Sequence, residues 1–316
     1  MSKVSILIPV YNRKNFIAEC IQSALDQIYT DFEVVVVDNA SDDGTWEICQ
    51  RFAAIDQRVR VFRNDTNIGP VRNWKRCAEE ATGEFSKILF SDDLLEPDCL
   101  SEMAPILEDP NIGLVYCAAW IGKSKEEAKL VYSIGEQAQL SFTNFMNLLL
   151  RGQAPVSPGA ALMRTADLKA NLHTNFPTAT PRPFEKHGAG PDVMSLILTA
   201  ENYPFVYHLP VPLVFFRAHS GSFTSGIMNS QVNKGYISAF SYYLRLRFGL
   251  KPLTRYLASC WLKEMKIRRR WINPKKLLVE YQGTGSVGEI LSTIVYSVRQ
   301  PDPIADGWIR DVHESP

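Results

Sequence analysis

Two adjacent carboxylates, Asp92 and Asp93, leave the apolar run Ile88-Leu-Phe90 in the segment Ser91-Asp-Asp-Leu-Leu-Glu-Pro97. A cation bound to a diphosphate takes hard oxygen ligands of this kind and leaves other positions to phosphate and water. Adjacent aspartates can divide that work, one on the cation and one on a ribose hydroxyl. The plainer alternative is an Asp-rich turn ahead of a helix opened by Pro97. Asp38 ends a second apolar run, Val34–Val37. A carboxylate there can accept N–H groups from a base or hydroxyls from a ribose; it can equally build a turn with Ser41. Asp42 and Asp43 suit the start of the helix that follows.

Further candidates come from other segments. Tyr11 and Arg13 follow the run that begins at Val4; an aromatic ring can stack on a planar base and an arginine can meet phosphate. In Asn67-Ile-Gly-Pro-Val-Arg72-Asn73, Gly69 permits a tight turn and Arg72 falls in the first turn of a helix. A basic residue opposes the helix dipole there, which favours a ligand for it. Asp192 stands at a helix start after Gly188-Ala-Gly-Pro191, either as a simple N-terminal charge or as a general base. His219 follows an apolar run beside Arg217 and a Ser/Gly-rich stretch.

Something must bring these residues together, and the first 120 residues have the pattern to do it. Short apolar runs at Val4–Pro9, Glu33–Val37, Val59–Phe62, Phe85–Phe90 and Gly113–Cys117 alternate with amphipathic stretches near 14–28, 43–56, 70–81 and 97–108. In the first stretch Ile17, Ile21, Ala24, Leu25 and Ile28 keep the spacing of one helix face. The alternation predicts an α/β fold with a mostly parallel sheet covered by helices on both faces. Ligands of such sheets sit beyond the carboxyl ends of the strands, where Tyr11, Asp38 and Asp92 fall. From 121 to 190 the pattern is less regular, with loop-like stretches at 152–158 and 174–190 around a short helix at 142–150. Helix is expected from 190 to 201, strand over Phe205–Leu209 and Leu213–Arg217, and helix through most of 231–270.

Composition narrows the classes. The 316 residues hold 34 Lys+Arg against 34 Asp+Glu, so overall charge points to no nucleic-acid partner. The six cysteines are scattered without a CxxC pair and read as reduced thiols. No run approaches the roughly 18 apolar residues of a membrane span, and the N-terminal apolar run is short for a signal peptide. The expectation is a cytoplasmic protein. The basic stretch 263–276 could rest on an anionic membrane face or be a solvated helix surface. No G-x-G-x-x-G turn follows the first strand, which disfavours a dinucleotide-dependent oxidoreductase.

Taken in order, Ser5-Ile-Leu-Ile-Pro-Val-Tyr-Asn-Arg13, Val34–Asp38 with Asn39-Ala-Ser-Asp-Asp-Gly-Thr45, Asn67–Asn73, Gly83-Glu-Phe85 and Ser91-Asp-Asp93 resemble the family 2 glycosyltransferases. The likeness is strong over 3–120 and weaker over 155–225. It implies a GT-A fold over 1–225, with a nucleotide-binding half (1–120) and an acceptor and catalytic half (121–225), followed by a mainly helical region at 226–316. It implies an inverting, metal-dependent enzyme moving sugar from a nucleoside-diphosphate sugar, UDP favoured, to a hydroxyl of a glycan or lipid-linked glycan acceptor. That acceptor would belong to bacterial-type surface polysaccharide or lipopolysaccharide synthesis.

By the same resemblance, Pro9, Val10 and Tyr11 would cradle the base, Asp38 would accept its imide N–H, and Arg72 would flank it. Arg13 and Asn67 join these donor contacts, and Asp92 would meet the ribose. Asp93 would ligate Mn²⁺ or Mg²⁺, with His219 as a further metal or phosphate contact, and Asp192 would be the base. Ser91 stands at the first position of the D-x-D motif, which leaves Asp93 as the main carboxylate ligand. A non-catalytic nucleotide-sugar-binding protein of the same fold is the alternative.

Overall fold

The computed structural model describes residues 2–219, 221, 229–268 and 279–281. Four strands, β1 (Val4–Val10), β2 (Phe32–Asp38), β3 (Val59–Arg63) and β4 (Phe85–Ile88), run parallel in the order β3-β2-β1-β4. The predominantly apolar β1 and β2 are buried throughout on both faces, whereas β3, with Arg60 and Arg63, is an edge strand and mostly half-buried. Alternate residues do face opposite ways: Ile6, Ile8, Val34 and Val36 enter one apolar cluster, and Leu7, Val35 and Val37 the other. The chain adds β5 (Leu94–Leu95), β6 (Ile112–Gly122), β7 (Lys129–Val131), β8 (Ala138–Ser141), β9 (Ala161–Arg164) and β10 (Phe205–Arg217). Short β9 lies antiparallel between β4 and β6, and β10 runs parallel to β6. The sheet is therefore mixed, parallel in its first half.

Helices α1 (Ile17–Leu25), α2 (Thr45–Ile55), α3 (Pro70–Glu80) and α4 (Cys99–Leu107) follow the first strands. They are joined by α5 (Phe142–Arg151), α6 (Thr165–Asn171), α7 (Phe184–His187), α8 (Pro191–Glu201), α9 (Asn229–Phe248) and α10 (Leu250–Arg268). Phe240, Tyr243 and Leu244 of α9 and Leu253, Leu257 and Trp261 of α10 join the cluster that holds Leu7 and Val35. Residues 269–276 of the basic stretch lie outside the described residues. Among the described residues no helix is long and apolar enough to cross a membrane. All six cysteines are free, and all but half-buried Cys260 are buried.

Local expectations fail where tertiary contacts intervene. Ile28 lies beyond α1 and is 65% exposed, because the chain leaves the helix at Asp26 and the Ile28 N–H donates to the Pro97 carbonyl. Pro97 does not open α4. It precedes the N-cap Asp98 in a turn whose Glu96 carbonyl accepts from Gln27 Nε2 and from the Cys99 N–H. The expected strand Phe85–Phe90 pairs only to Ile88, and the two-residue β5 begins directly after Asp93 by pairing with β10.

Candidate active site

Strand register brings the first functional groups together. Val10 lies opposite Asp38, and Asp38 opposite Arg63, at the carboxyl edge of β1, β2 and β3. Two loops extend from this edge and are stapled to each other. Asn12, at a positive φ of 51°, donates from Nδ2 to Asp42 Oδ1 (2.9 Å) and accepts the Asp42 N–H at Oδ1 (3.1 Å). The Arg13 N–H donates to Thr45 Oγ1 (2.9 Å). Asp43 accepts the Thr45 N–H at 3.0 Å, as a helix-start residue should, whereas Asp42 braces the neighbouring loop instead.

Asp38 is wholly buried. Its Oδ2 accepts the Ser41 N–H (3.1 Å) and pairs with Arg63 Nε (3.2 Å); its Oδ1 is buried with no partner. A buried acceptor left unmade is costly, so Oδ1 is an atom that a donor N–H would satisfy. Pro9 and Val10 are buried within β1, and the Val10 carbonyl accepts the Asn39 N–H. Tyr11 stands next in the chain, 42% exposed, with its ring open to a flat ligand.

Asn67 and Arg72 sit farther out. Asn67 Oδ1 accepts from Asn39 Nδ2 and from the Gly69 N–H, both at 2.9 Å, so this side chain holds the turn before α3. Behind it Asn39, Asn64 and Asn73 form a continuous amide chain that ends on the Val37 carbonyl. Arg72 lies on the exposed face of α3, lining a groove of about 480 Å³ with Asn64, Asp65, Thr66 and Lys75.

The aspartate pair divides by environment. Asp92 is half-buried, and its Oδ2 receives Arg13 Nε at 3.3 Å and His219 Nε2 at 2.9 Å. Asp93 is buried, and its Oδ1 accepts the Arg217 N–H at 2.9 Å. Burial, and then the charge of Asp92 beside it, push the Asp93 carboxyl well above the usual carboxylate range. Because β10 runs parallel to β6, its carboxyl end delivers Arg217 and His219 to the same edge. His219 stacks on Phe16 (centroids 4.6 Å apart), and the Arg217 guanidinium lies over that ring while donating to Glu19.

A divalent cation suits this corner. The two adjacent carboxylates repel, one of them is buried, and an imidazole nitrogen lies within hydrogen-bond reach of Asp92. A dication would relieve that repulsion. Among the described residues no group of three or more His, Cys, Asp or Glu gathers at metal-binding distances. Phosphate oxygens and water would have to supply the remaining ligands of a cation there.

Asp192 belongs to a second region. It lies in the first turn of α8, 5% exposed, with Oδ1 accepting the Gly190 and Val193 N–H groups at 2.7 Å each. Oδ2 accepts from Tyr236 Oη at 2.8 Å. Burial dominates and raises its carboxyl to about 7; the Tyr236 and backbone hydrogen bonds oppose the rise. The turn at 158–160 packs against both α8 and β4, and its Gly159 lies against Phe90 and Phe216, next to the aspartate pair. Lys87 of β4 is fully buried and donates to the Gly159 carbonyl, fixing that turn.

Several participants carried no sequence signal strong enough to single them out. Arg63 could have been found, since it ends the strand beside Asp38. Phe16 and Glu19 acquire their roles only because β10 returns to α1, and Tyr236 arrives from a helix 44 residues beyond Asp192.

Residues 5–172, just over half of the chain, match the family model described as glycosyl transferase family 2, and the chain belongs to that family. A Bacillus subtilis protein named for teichuronic acid biosynthesis, TuaG, is 34% identical over 99 residues, covering 31% of this chain and 39% of the relative. The chain spans only 35% to 39% of the length of three curated relatives that it matches. Among solved structures, Staphylococcus aureus TarS 1–349 in complex with UDP superposes with a TM-score of 0.60 at 19% identity, over 96% of this chain and 82% of that one. The Pyrobaculum calidifontis mannosyltransferase PcManGT, in complex with GDP-Man and Mn²⁺, gives 0.57 at 19% identity, over 95% and 81%. The shared fold is the GT-A architecture, as the strand-end motifs led one to expect.

Proposed function

We propose that the chain is an inverting glycosyltransferase, moving a sugar from a nucleoside-diphosphate sugar to a hydroxyl of a glycan acceptor. The observation that carries this reading is Asp192, a buried carboxylate whose proton affinity lies near neutrality and whose Oδ2 has one bonded neighbour among the described residues, Tyr236. A group with those properties is matched to taking a proton from a sugar hydroxyl as that hydroxyl attacks. Attack from the face opposite the leaving diphosphate inverts the anomeric centre. UDP is the favoured nucleotide, supported by the UDP bound to TarS; GDP-Man bound to PcManGT keeps GDP donors in the test. The name of TuaG supports an acceptor in surface-polysaccharide synthesis.

In this reading Tyr11 offers its ring to the base, the free Asp38 Oδ1 takes the imide N–H, and Pro9 and Val10 hold both loops in place. Asn67 and Arg72 contribute from the turn before α3 and its first helical turn. Asp92 turns to the ribose, which requires it to exchange its bonds to Arg13 and His219. Arg13 is then released toward the diphosphate. Asp93, with His219, would hold Mn²⁺ or Mg²⁺. When bound, the cation supplies neutralisation of charge on the leaving diphosphate. The reaction would take place in the cytoplasm, with 263–276 as the part of the chain placed to meet a membrane carrying a lipid-linked acceptor.

A thermal-shift screen of UDP-, dTDP- and GDP-sugars, with and without Mn²⁺, tests the reading. Stabilisation by one donor class that depends on the metal is expected. Asp93→Ala should abolish the metal dependence, while Asp92→Ala should chiefly weaken donor binding. No metal-dependent stabilisation by any donor would sink the proposal. Metal-dependent donor binding without release of nucleoside diphosphate, whatever glycan is offered, would favour a non-catalytic nucleotide-sugar-binding protein.

A further inference from the structure

Helix α9 meets the α7–α8 turn at unusually close range. Gly235 lies within the helix, where glycine costs up to about 1 kcal/mol relative to alanine. A Cβ at that position would overlap the Ala189 carbonyl oxygen and crowd His187. Across the contact stands Gly190, at a φ of 117°, where a Cβ would meet Phe184 and come within 3.2 Å of the Gly235 carbonyl. Two glycines facing each other let the two backbones nearly touch. The next residue of α9 is Tyr236, whose hydroxyl reaches Asp192 Oδ2 at 2.8 Å.

From this geometry we infer that Tyr236 is a positioning residue for Asp192, with Gly235 setting the approach that lets it reach. The inference rests on the reading of Asp192 as the base. Bonds from the Gly190 and Val193 N–H groups fix one oxygen, and the phenol fixes the other. Together they hold the carboxylate plane, so one lone pair of Oδ2 is left for an acceptor hydroxyl. The groups facing Asp192 are Tyr236 from α9 and Tyr132 from the turn after β7, with His187 of α7 across Gly235. Among the described residues no ion pair to Asp192 is formed. The phenol is therefore the principal side chain favouring the ionised form. This extends the working site to a helix beyond residues 5–172, the part that matches the family model.

The test follows the Asp192 carboxyl directly, without substrate. Full-length protein labelled with ¹³C-aspartate is titrated by NMR, and the Asp192 resonance is identified by its disappearance in Asp192→Asn. Loss of one hydrogen bond to a charged group corresponds to about one to two pH units in a titration midpoint, so Tyr236→Phe should move the midpoint upward by about that much. Gly235→Ala, which keeps the phenol but forces α9 outward, should move it the same way, and it serves where Tyr236→Phe does not fold. A midpoint unchanged in the folded variants overturns the inference. If Asp192→Asn has lost transfer, such a result leaves the base reading standing. If Asp192→Asn retains transfer, both readings fall together.

Discussion

Glu33 and Asp192 expose similar fractions of their surface, 4% and 5%, but Asp192 lies deeper among protein atoms and is desolvated more, and the protein holds the two in opposite ways. Burial raises the proton affinity of both. At Glu33 this is outweighed by hydrogen bonds from the Ser5 hydroxyl (2.6 Å), the Thr82 N–H (2.7 Å), Arg60 (2.9 Å) and the Thr82 hydroxyl (2.8 Å), which hold its carboxyl at about 2. Asp192 receives two backbone N–H groups and one phenol, has no cation paired with it among the described residues, and stays at about 7. Glu33 lies toward the start of β2, whereas the donor-site candidates gather past the strand ends, beyond Asp38. Burial alone does not set how tightly a carboxylate holds its proton. Where compensating charge is scarce, as at Asp192, the proton can move near neutral pH, the property that a general base needs.

That contrast can be broken in several places. The largest effect is expected at Asp192→Asn: transfer should fall by about a thousandfold, the range typical of a lost general base, with donor binding intact. Wild-type transfer should show an acid limb near pH 7, read from the pH dependence of kcat/KM, which reports the free enzyme.

The same substitution should act on stability in the opposite direction. Asp192 binds its proton more tightly folded than unfolded, so its contribution is most favourable below about pH 4 and is lost as pH rises through about 7. Removing the charge should therefore raise stability by about 2–4 kcal/mol at pH 8 and change little at pH 4, measured by urea unfolding.

Glu33→Gln should do the reverse. The depressed carboxyl contributes above its ordinary value of 4.5 and loses that contribution as pH falls through about 2. A loss of about 2–3 kcal/mol at pH 7, shrinking in acid, is expected from urea midpoints. Ser5→Ala should have the smallest effect, about 1 kcal/mol, with the Glu33 titration moving upward. Equal pH dependence in the Asp192 and Glu33 variants would remove the contrast.

The parallel half of the fold was legible because its signals are local. Val34–Val37 is apolar throughout since both faces are covered, and Asp38 marks where that cover ends. The antiparallel strand between β4 and β6 was not legible. Ala161–Arg164 is four residues long and becomes a strand only by filling the gap between two longer neighbours. The helix face extended one position too far, to Ile28, because periodicity does not register a backbone bond to Pro97. Of the site, the acidic strand ends were visible, but not that Asp92 would meet Arg13 and His219 while Asp93 turned inward to the Arg217 backbone.

By itself the sequence determined the α/β alternation, the carboxyl edge at which polar residues collect and the motif order of the glycosyltransferase family, since these depend on residue type and short-range spacing. Only the tertiary structure decided what each carboxylate is. Proton affinity depends on which groups arrive from elsewhere: Arg60 and Thr82 at Glu33, and a phenol on α9 at Asp192. Those arrivals are contacts between distant segments, and no local pattern encodes them.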